Sequence, residues 1–301
     1  MSDNVVAHGD AIDCGRVAAA GSVDVAYLDP PFAVGVAFGA RTGAGSARAS
    51  GPVAYDDRWH SIGAYLDWLE ARLRAVYTCV SDRGLLWLHL DHRAIHDAAV
   101  LCDRIFGRER RVGEIIWVPG NGSKSRKGPG VSHQTLLVYA KGDGFVWNAA
   151  DPALREPYAA TSLSMHFSQT DEAGRRFRER VVGGKAYRYY ADRGRALGSV
   201  WADCPSMSAN TPLRSETTGY PTQKPEKLLD RIVRASSLPG GLVLDAFCGS
   251  GTTLAVAAKL GRRFIGLDIG ARAIETTTRR LTLQGALFES VTLESRPQTR
   301  S

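Results

Sequence analysis

The stretch Leu242–Thr253, LVLDAFCGSGTT, runs from an apolar segment into a glycine turn and then into a helix start. Gly249 and Gly251 let the backbone turn sharply and approach a ligand closely, because glycine has no Cβ to forbid positive φ. Thr252 and Thr253 fall where a helix N-terminus leaves N–H groups without intrahelical partners. Such a turn suits the adenosyl or phosphate part of a nucleotide-like ligand. It does not end in Gly-Lys-Ser/Thr, so it is not a P-loop, and a phosphate is disfavoured. The next apolar run, RFIGLDI, ends near Asp268, roughly where an acidic residue meets ribose hydroxyls in nucleotide-binding sheets.

Outward from this stretch, short apolar runs alternate with segments of helical spacing. Strands are expected at Val5–Ala7, Val23–Leu28, Leu85–Leu90, Glu114–Val118, Thr135–Ala140, Leu242–Ala246 and Phe264–Leu267. Helices are expected at Ile62–Val80, His92–Phe106, Lys224–Ser237, Thr252–Leu260 and Ala271–Leu283. That alternation predicts an open, doubly wound parallel sheet with helices on both faces. Gly35–Pro52, rich in Gly, Ala, Ser and Arg, reads as a mobile surface loop. Residues 148–220 break the alternation and read as an insertion. It carries Arg175, Arg176, Arg178, Arg180, Arg188, Arg193 and Arg195 interleaved with Phe177, Tyr187, Tyr189, Tyr190 and Trp201. The expected division is therefore 1–147 and 221–287 as two halves of one domain around the insertion, with a frayed tail at 288–301.

The strand Val23–Leu28 leads into a second unusual turn, Asp29-Pro30-Pro31-Phe32. Two prolines fix φ and remove two donors, so a carboxylate and a proline carbonyl stand side by side as rigid acceptors. The neighbouring aromatic offers a platform for a planar group. In isolation the same residues read equally well as a stiff strand-end turn.

Composition bounds the remaining choices. The 301 residues, 44% hydrophobic and 23% charged, are ordinary for a soluble globular chain, and no apolar run is long enough to span a membrane. The N-terminus MSDNVVAHGD is not a signal peptide, so a cytoplasmic location is expected. Cys14, Cys79, Cys102, Cys204 and Cys248 show no metal or disulfide spacing and read as reduced thiols. A net charge of +7 fits a polyanionic partner, although charge alone is weak evidence for nucleic acid.

Taken together, DPPF after one strand, FCGSGTT after another and YPTQKPEKLL at 220–229 resemble the amino-group DNA methyltransferases. Gly9-Asp10, AYDDRW at 54–59, LHLDHR at 88–93, EIIWVPG at 114–120 and HQTLLVYAK at 133–141 match as well, so the likeness covers nearly the whole chain. With DPPF near the N-terminus and the glycine turn near the C-terminus, the order resembles the β group of that family, including type III modification subunits.

The resemblance implies a permuted Rossmann-like, S-adenosylmethionine-dependent methyltransferase sheet with an inserted target-recognition region. It implies that Asp245, Phe247, Gly249 and Gly251 cradle the cofactor, with Asp268 on its ribose and Asp10 near its adenine. Thr222 and Lys224 would lie beside the methionine end, although Thr222–Glu226 also reads as a plain helix start with Pro225 in its first turn. Asp29 and the Pro30 carbonyl would accept from the target amino group beside Pro31, and Phe32 would stack on the extruded base. Phe32 departs from the Tyr often found there, which keeps stacking and loses a hydroxyl. The insertion's Arg175, Arg176, Arg178, Arg188 and Arg193 would face double-stranded DNA, as would Arg126 and Lys127 in the loop NGSKSRKGPG at 121–130.

Asp29 favours N6 of adenine over N4 of cytosine, whose enzymes more often carry Ser at that position. The reversed order Cys204-Pro205 removes C5-cytosine chemistry. A non-catalytic DNA-binding subunit of the same fold is the rival from another class, and an RNA substrate stays open. The sequence leaves open a restriction endonuclease partner and a homodimer.

Overall fold

A computed structural model of the chain describes residues 3–42, 49–120, 122, 125–207 and 215–294. The backbone divides into two units, one drawn from 1–147 and 199–301 and the other spanning Asn148–Gly198. In chain order the larger unit begins β1 Val5–His8, β2 Val23–Leu28, β3 Ala37–Thr42, β4 Ala49–Asp56, α1 Ile62–Cys79, β5 Val80–Leu90, α2 Ile95–Phe106, β6 Arg111–Trp117 and β7 Gln134–Ala140. The smaller unit supplies β8 Arg155–Glu156, α3 Ala160–His166, β9 Gln169–Thr170, β10 Arg176–Val182, β11 Lys185–Tyr190 and β12 Arg195–Ala196. The larger unit then resumes with β13 Val200–Trp201, α4 Glu226–Ser236, β14 Leu242–Asp245, α5 Thr252–Lys259, β15 Arg263–Asp268, α6 Ala271–Leu283 and β16 Glu289–Thr292.

All seven expected strands lie in one nine-stranded sheet of order β13-β6-β7-β5-β2-β14-β15-β1-β16. The sheet is mixed rather than wholly parallel, because β7 runs antiparallel to both β5 and β6. The central strands β2, β14 and β15 are apolar on both faces, as strands covered on both sides must be. On one face lies α1, capped by Ser61, whose Oγ accepts from Ala64 N at 3.1 Å. Its buried stripe of Tyr65, Leu69, Leu73 and Val76 follows the helical repeat and packs with Ala26, Leu28, Leu86, Leu88 and Leu244 of the sheet. On the other face, Trp87 of β5 donates its indole N–H to Ser236 Oγ of α4 at 2.8 Å.

Three further expectations are corrected. The segment expected as a mobile loop at Gly35–Pro52 contributes to an antiparallel hairpin, β3 with β4, although residues 43–48 lie outside the described residues. The tail contributes β16, which pairs in parallel with β1 and covers the sheet's edge, with 295–301 outside the described residues. The insertion's compact part ends at Gly198 rather than Tyr220, because Val200–Trp201 pair with β6 of the main sheet.

The smaller unit has its own modest core of Leu154, Tyr158, Phe167 and Phe177. Strands β9, β10 and β11 form an antiparallel sheet. Gly183 and Gly184 both take positive φ in the two-residue turn between β10 and β11, as a tight hairpin turn requires.

In the turn that decides the fold, Gly251 takes φ +71, and a Cβ there would lie 2.8 Å from Thr277 Oγ1 of α6. Gly261 has a similar φ of +67 but faces open space. Gly251→Ala is therefore expected to destabilise the protein by about 1–3 kcal/mol and Gly261→Ala by less. Urea unfolding of both variants reads the difference. Equal losses would show that α6 does not press on the turn.

Candidate active site

Strands β2, β14, β15 and β1 are adjacent and parallel, so their carboxyl ends share one edge of the sheet. Asp245 stands in register with Tyr27 and Gly266, and Asp268 with His8. The chain at or just past these ends delivers Asp29, Asp245, Asp268 and Asp10 to one cavity of about 1070 Å³. Aromatic rings of Phe32, Trp68, Tyr220 and Phe247 also line it. Burial pushes the carboxyls of Asp29 and Asp268 up and that of Asp245 to about 7. A cleft with so many desolvated carboxylates is suited to a cation.

The Asp29–Phe32 turn is held from below. Asp57 is fully buried and accepts from the backbone N–H groups of Phe32, Ala33 and Val34 at 3.0, 2.8 and 3.0 Å, and from the Trp59 indole at 2.9 Å. Tyr65 donates its hydroxyl to the Pro31 carbonyl at 2.8 Å. Ala33 takes φ +56, a left-handed conformation that these bonds enforce. Asp29 Oδ2 accepts from Lys224 Nζ at 2.5 Å, while Asp29 Oδ1 is buried with no hydrogen-bond partner. His89, on β5, lies 3.9 Å from that Oδ1 and contacts the Tyr27 hydroxyl at 2.8 Å. Burial, reinforced by Lys224, holds the His89 pKa well below its usual value, so the imidazole is neutral.

The glycine turn is pinned by the carboxylates it follows. Asp268 accepts from Gly249 N at 2.9 Å and Gly270 N at 2.8 Å, and Asp245 from Phe247 N at 3.1 Å. Beneath it, Arg280 donates to Thr252 Oγ1 and to Glu226, which Lys259 also contacts, so α4, α5 and α6 are tied together. Burial alone would raise Glu226, but the two cations pull its carboxyl below the ordinary range. Gln223 bonds the Thr218 N–H and hydroxyl and the Glu216 carbonyl, which steadies the chain before α4. Thr222 takes φ +57, rare for a β-branched residue, and its hydroxyl contacts Tyr55 at 3.3 Å.

The expected site residues are therefore largely brought together. Asp10, Asp29, Pro30, Pro31, Phe32, Thr222, Lys224, Asp245, Phe247, Gly249 and Asp268 all line the cavity. Gly251 lies between the lining residues Ser250 and Thr252, and its α-carbon packs against Thr277 of α6. Asp10 is already engaged, with Arg72 and with Ile12 N at 3.0 Å, and Arg72 lies 4.2 Å over the Trp68 ring. Lys224, expected at a cofactor's methionine end, is bonded to Asp29. Nothing in the sequence pattern singles out Asp57, Tyr65, His89, Arg72 or Gln223 for a site. Asp57, His89 and Gln223 lie in matching stretches, but a supporting partner carries no signal without its distance.

The expected basic contacts fare differently. Arg126 and Lys127 are exposed on the loop between β6 and β7. Arg175 pairs with Asp171 at 3.0 Å, Arg188 with Glu179 at 3.3 Å, and Arg176 donates to the carbonyls of Leu163 and Phe167. Arg178 lies 5.2 Å over the Phe167 ring, and Arg193 lies 5.6 Å over Tyr190. All five have partners within the smaller unit, and Arg175, Arg176, Arg188 and Arg193 are exposed to solvent as well. Arg180, opposite Tyr187, and Lys185, opposite Val182, stand exposed on the β10–β11 hairpin.

A sheet of this order, with a glycine turn after β14 and an acid closing β15, is a Rossmann-like methyltransferase fold. The family described as DNA methylase, covering N6 and N4 types, matches residues 23–279, and the chain belongs to it. It is 29% identical to the type II methyltransferase M.EcaI of Enterobacter cloacae over 85% of this chain and 64% of that one. The chain thus spans just under two thirds of that relative's length. It is 28% identical to the DNA adenine methyltransferase YhdJ of Escherichia coli K12, over 92% of this chain and 82% of the relative. Among solved structures, the PvuII cytosine-N4-specific DNA methyltransferase shares the fold at TM-score 0.59 and 15% identity, covering 98% and 97% of the two chains. The M1.HpyAVI–SAM complex does so at TM-score 0.55 and 18% identity, covering 92% and 98%.

Because the buried Asp57 satisfies three part-buried backbone donors at once, Asp57→Ala is expected to cost about 2–5 kcal/mol, more than a typical substitution. Asp56→Ala, at the exposed neighbour, should leave the urea midpoint nearly unchanged. Similar midpoints for the two variants would remove Asp57 as the anchor of the turn.

Proposed function

We propose that this protein transfers a methyl group from S-adenosylmethionine to N6 of adenine in double-stranded DNA, acting on a base turned out of the helix. The observation that carries the reading is Asp29 Oδ1, a buried acceptor without a donor beside Phe32 in a cavity. An exocyclic amino group stacked by its ring on Phe32 supplies the missing donor. When bound, S-adenosylmethionine supplies a methyl group on a positively charged sulfur. The cleft fits it: buried carboxylates favour the cation, the turn before Gly249 leaves room, and Phe247 and Asp268 flank the space. Asp245, Asp10 and Asp268 would hold its polar parts.

An aryl amine is a poor nucleophile because its lone pair is delocalised into the ring. Asp29 and the Pro30 carbonyl, accepting its two N–H groups, favour the tetrahedral nitrogen whose lone pair attacks the methyl carbon. With S-adenosylmethionine bound, the nitrogen would bond the methyl carbon as the S–C bond breaks with its electron pair left on sulfur, and the N–H proton would then pass by way of the Asp29 carboxylate to solvent. Neither a covalent enzyme intermediate nor a strong base is required. Asp29 and the named activity of the Escherichia coli relative support adenine, and the exposed Arg180, Tyr187 and Lys185 support the hairpin as a DNA-facing surface.

Asp29→Ala is expected to lower single-turnover methyl transfer to unmethylated DNA by about 10²–10³ fold with cofactor affinity little changed. Phe32→Ala should lose about 1–3 kcal/mol of base capture, and Phe32→Tyr should stay active. Nucleoside mass spectrometry of the product should show N6-methyladenine. N4-methylcytosine would move the activity to the other base, and near wild-type transfer by Asp29→Ala would remove the mechanism.

A pH dependence follows from Asp245. Its carboxyl is raised from 3.8 to about 7, so the folded state favours the proton, and this group's contribution to stability falls as pH rises between those values. A bound sulfonium favours the ionised form, so affinity for S-adenosylmethionine should rise between pH 6 and 8. Affinity for the neutral S-adenosylhomocysteine should not, and Asp245→Asn should flatten the difference. Parallel calorimetric profiles for the two ligands would refute this coupling.

A further inference from the structure

Lys224 sits where helix electrostatics do not favour it. It precedes Glu226, the first residue of α4, and the N-terminal end of a helix repels a cation. Its side chain is only 9% exposed, so it is also removed from most of its water. The chain around it is nonetheless constrained to that place: Thr222 is held at φ +57, Gln223 is bonded on both amide atoms, and Pro225 opens the helix. The contacts that answer these costs are the bond to Asp29 Oδ2 at 2.5 Å and the Phe32 ring, whose centroid lies 5.1 Å from Nζ.

The groups facing Asp29 are otherwise neutral or acidic. From β2 comes Tyr27, from β5 the neutral His89, from β14 Asp245, from β4 Tyr55, from α1 Tyr65, and before α4 Tyr220. None of these favours a charged Asp29, and burial opposes it. The two oxygens of Asp29 are also unequal, Oδ2 being taken by Lys224 and Oδ1 buried and unpartnered.

We propose that Lys224 is a positioning residue for the reacting carboxylate: it holds Asp29 ionised and clamps Oδ2, so that Oδ1 alone is presented to the target amino group. This rests on the methyl-transfer reading for its consequence, though not for its test. A protonated Asp29 would offer a hydroxyl donor where the amine needs an acceptor, so transfer depends on the charge that Lys224 maintains. Lys224 then acts on the transfer through Asp29.

The test is the titration of the Asp29 carboxyl carbon in full-length protein labelled with 13C-aspartate, assigned by its loss in Asp29→Asn. Lys224→Met and Lys224→Gln are both expected to raise its midpoint by about one pH unit or more, and Lys224→Arg to leave it within about half a unit. In single-turnover transfer to unmethylated genomic DNA, the Met and Gln variants should be slow at neutral pH. They should recover about tenfold per pH unit as Asp29 ionises, with Arg parallel to wild type. An Asp29 midpoint unmoved in both Met and Gln variants overturns the proposal. So does a pH-independent loss in which Gln rescues as well as Arg, or weakened S-adenosylmethionine binding with an unmoved midpoint. A wild type that methylates no DNA would instead remove the proposed function, while the carboxyl titration would still decide the role of Lys224.

Discussion

Parallel pairing of β2, β14, β15 and β1 places their carboxyl ends on one edge, and every other feature of the site answers that constraint. The strands are apolar on both faces and covered by helices, so the edge they share opens into a low-dielectric cleft. Four carboxylates end there, at Asp10, Asp29, Asp245 and Asp268. Like charges brought together and dried repel one another and lose hydration, which is why burial lifts three of them. Such an arrangement persists only if the surrounding groups compensate.

The compensation differs from one carboxylate to the next and thereby separates their roles. Asp268 is held by two backbone N–H groups and in turn shapes the glycine turn. Asp10 is neutralised by Arg72, which rests on Trp68. Asp29 has a lysine on one oxygen and nothing on the other. Asp245, bonded to Phe247 N, has no cation beside it among the groups that shift it, and burial raises its carboxyl to about 7. Asp57, outside this row, holds the Asp29–Phe32 turn by three backbone bonds and keeps Ala33 in a left-handed conformation that it would not choose alone.

The smaller unit shows the same economy of charge. Its arginines cover a small aromatic core, where guanidinium stacking on Tyr158, Phe167, Phe177 and Tyr190 substitutes for the apolar area that so short a segment cannot bury. A basic composition there is first a device of folding. Arg180 and Lys185 on the β10–β11 hairpin are exposed, as are Arg175, Arg176, Arg188 and Arg193.

By itself the sequence determined the seven central strands, the five helices of the larger unit and the four acidic strand ends. Apolar period, glycine turns and the residue closing a strand are all local properties of the chain. It also pointed to Asp29, Phe32 and Gly249 through their turns at strand ends, and to Phe247 through the family resemblance. Tertiary structure decided that β7 runs antiparallel, since an apolar strand reads the same in either direction, and that residues 199–201 return to the sheet. It alone decided that Gly251 packs against α6, that Asp57 clamps a turn 23 to 25 residues earlier, and that Lys224 reaches Asp29 across a separation of 195 residues. Those pairings depend on which side chains meet in space at hydrogen-bond distance, and no pattern confined to neighbouring residues records that.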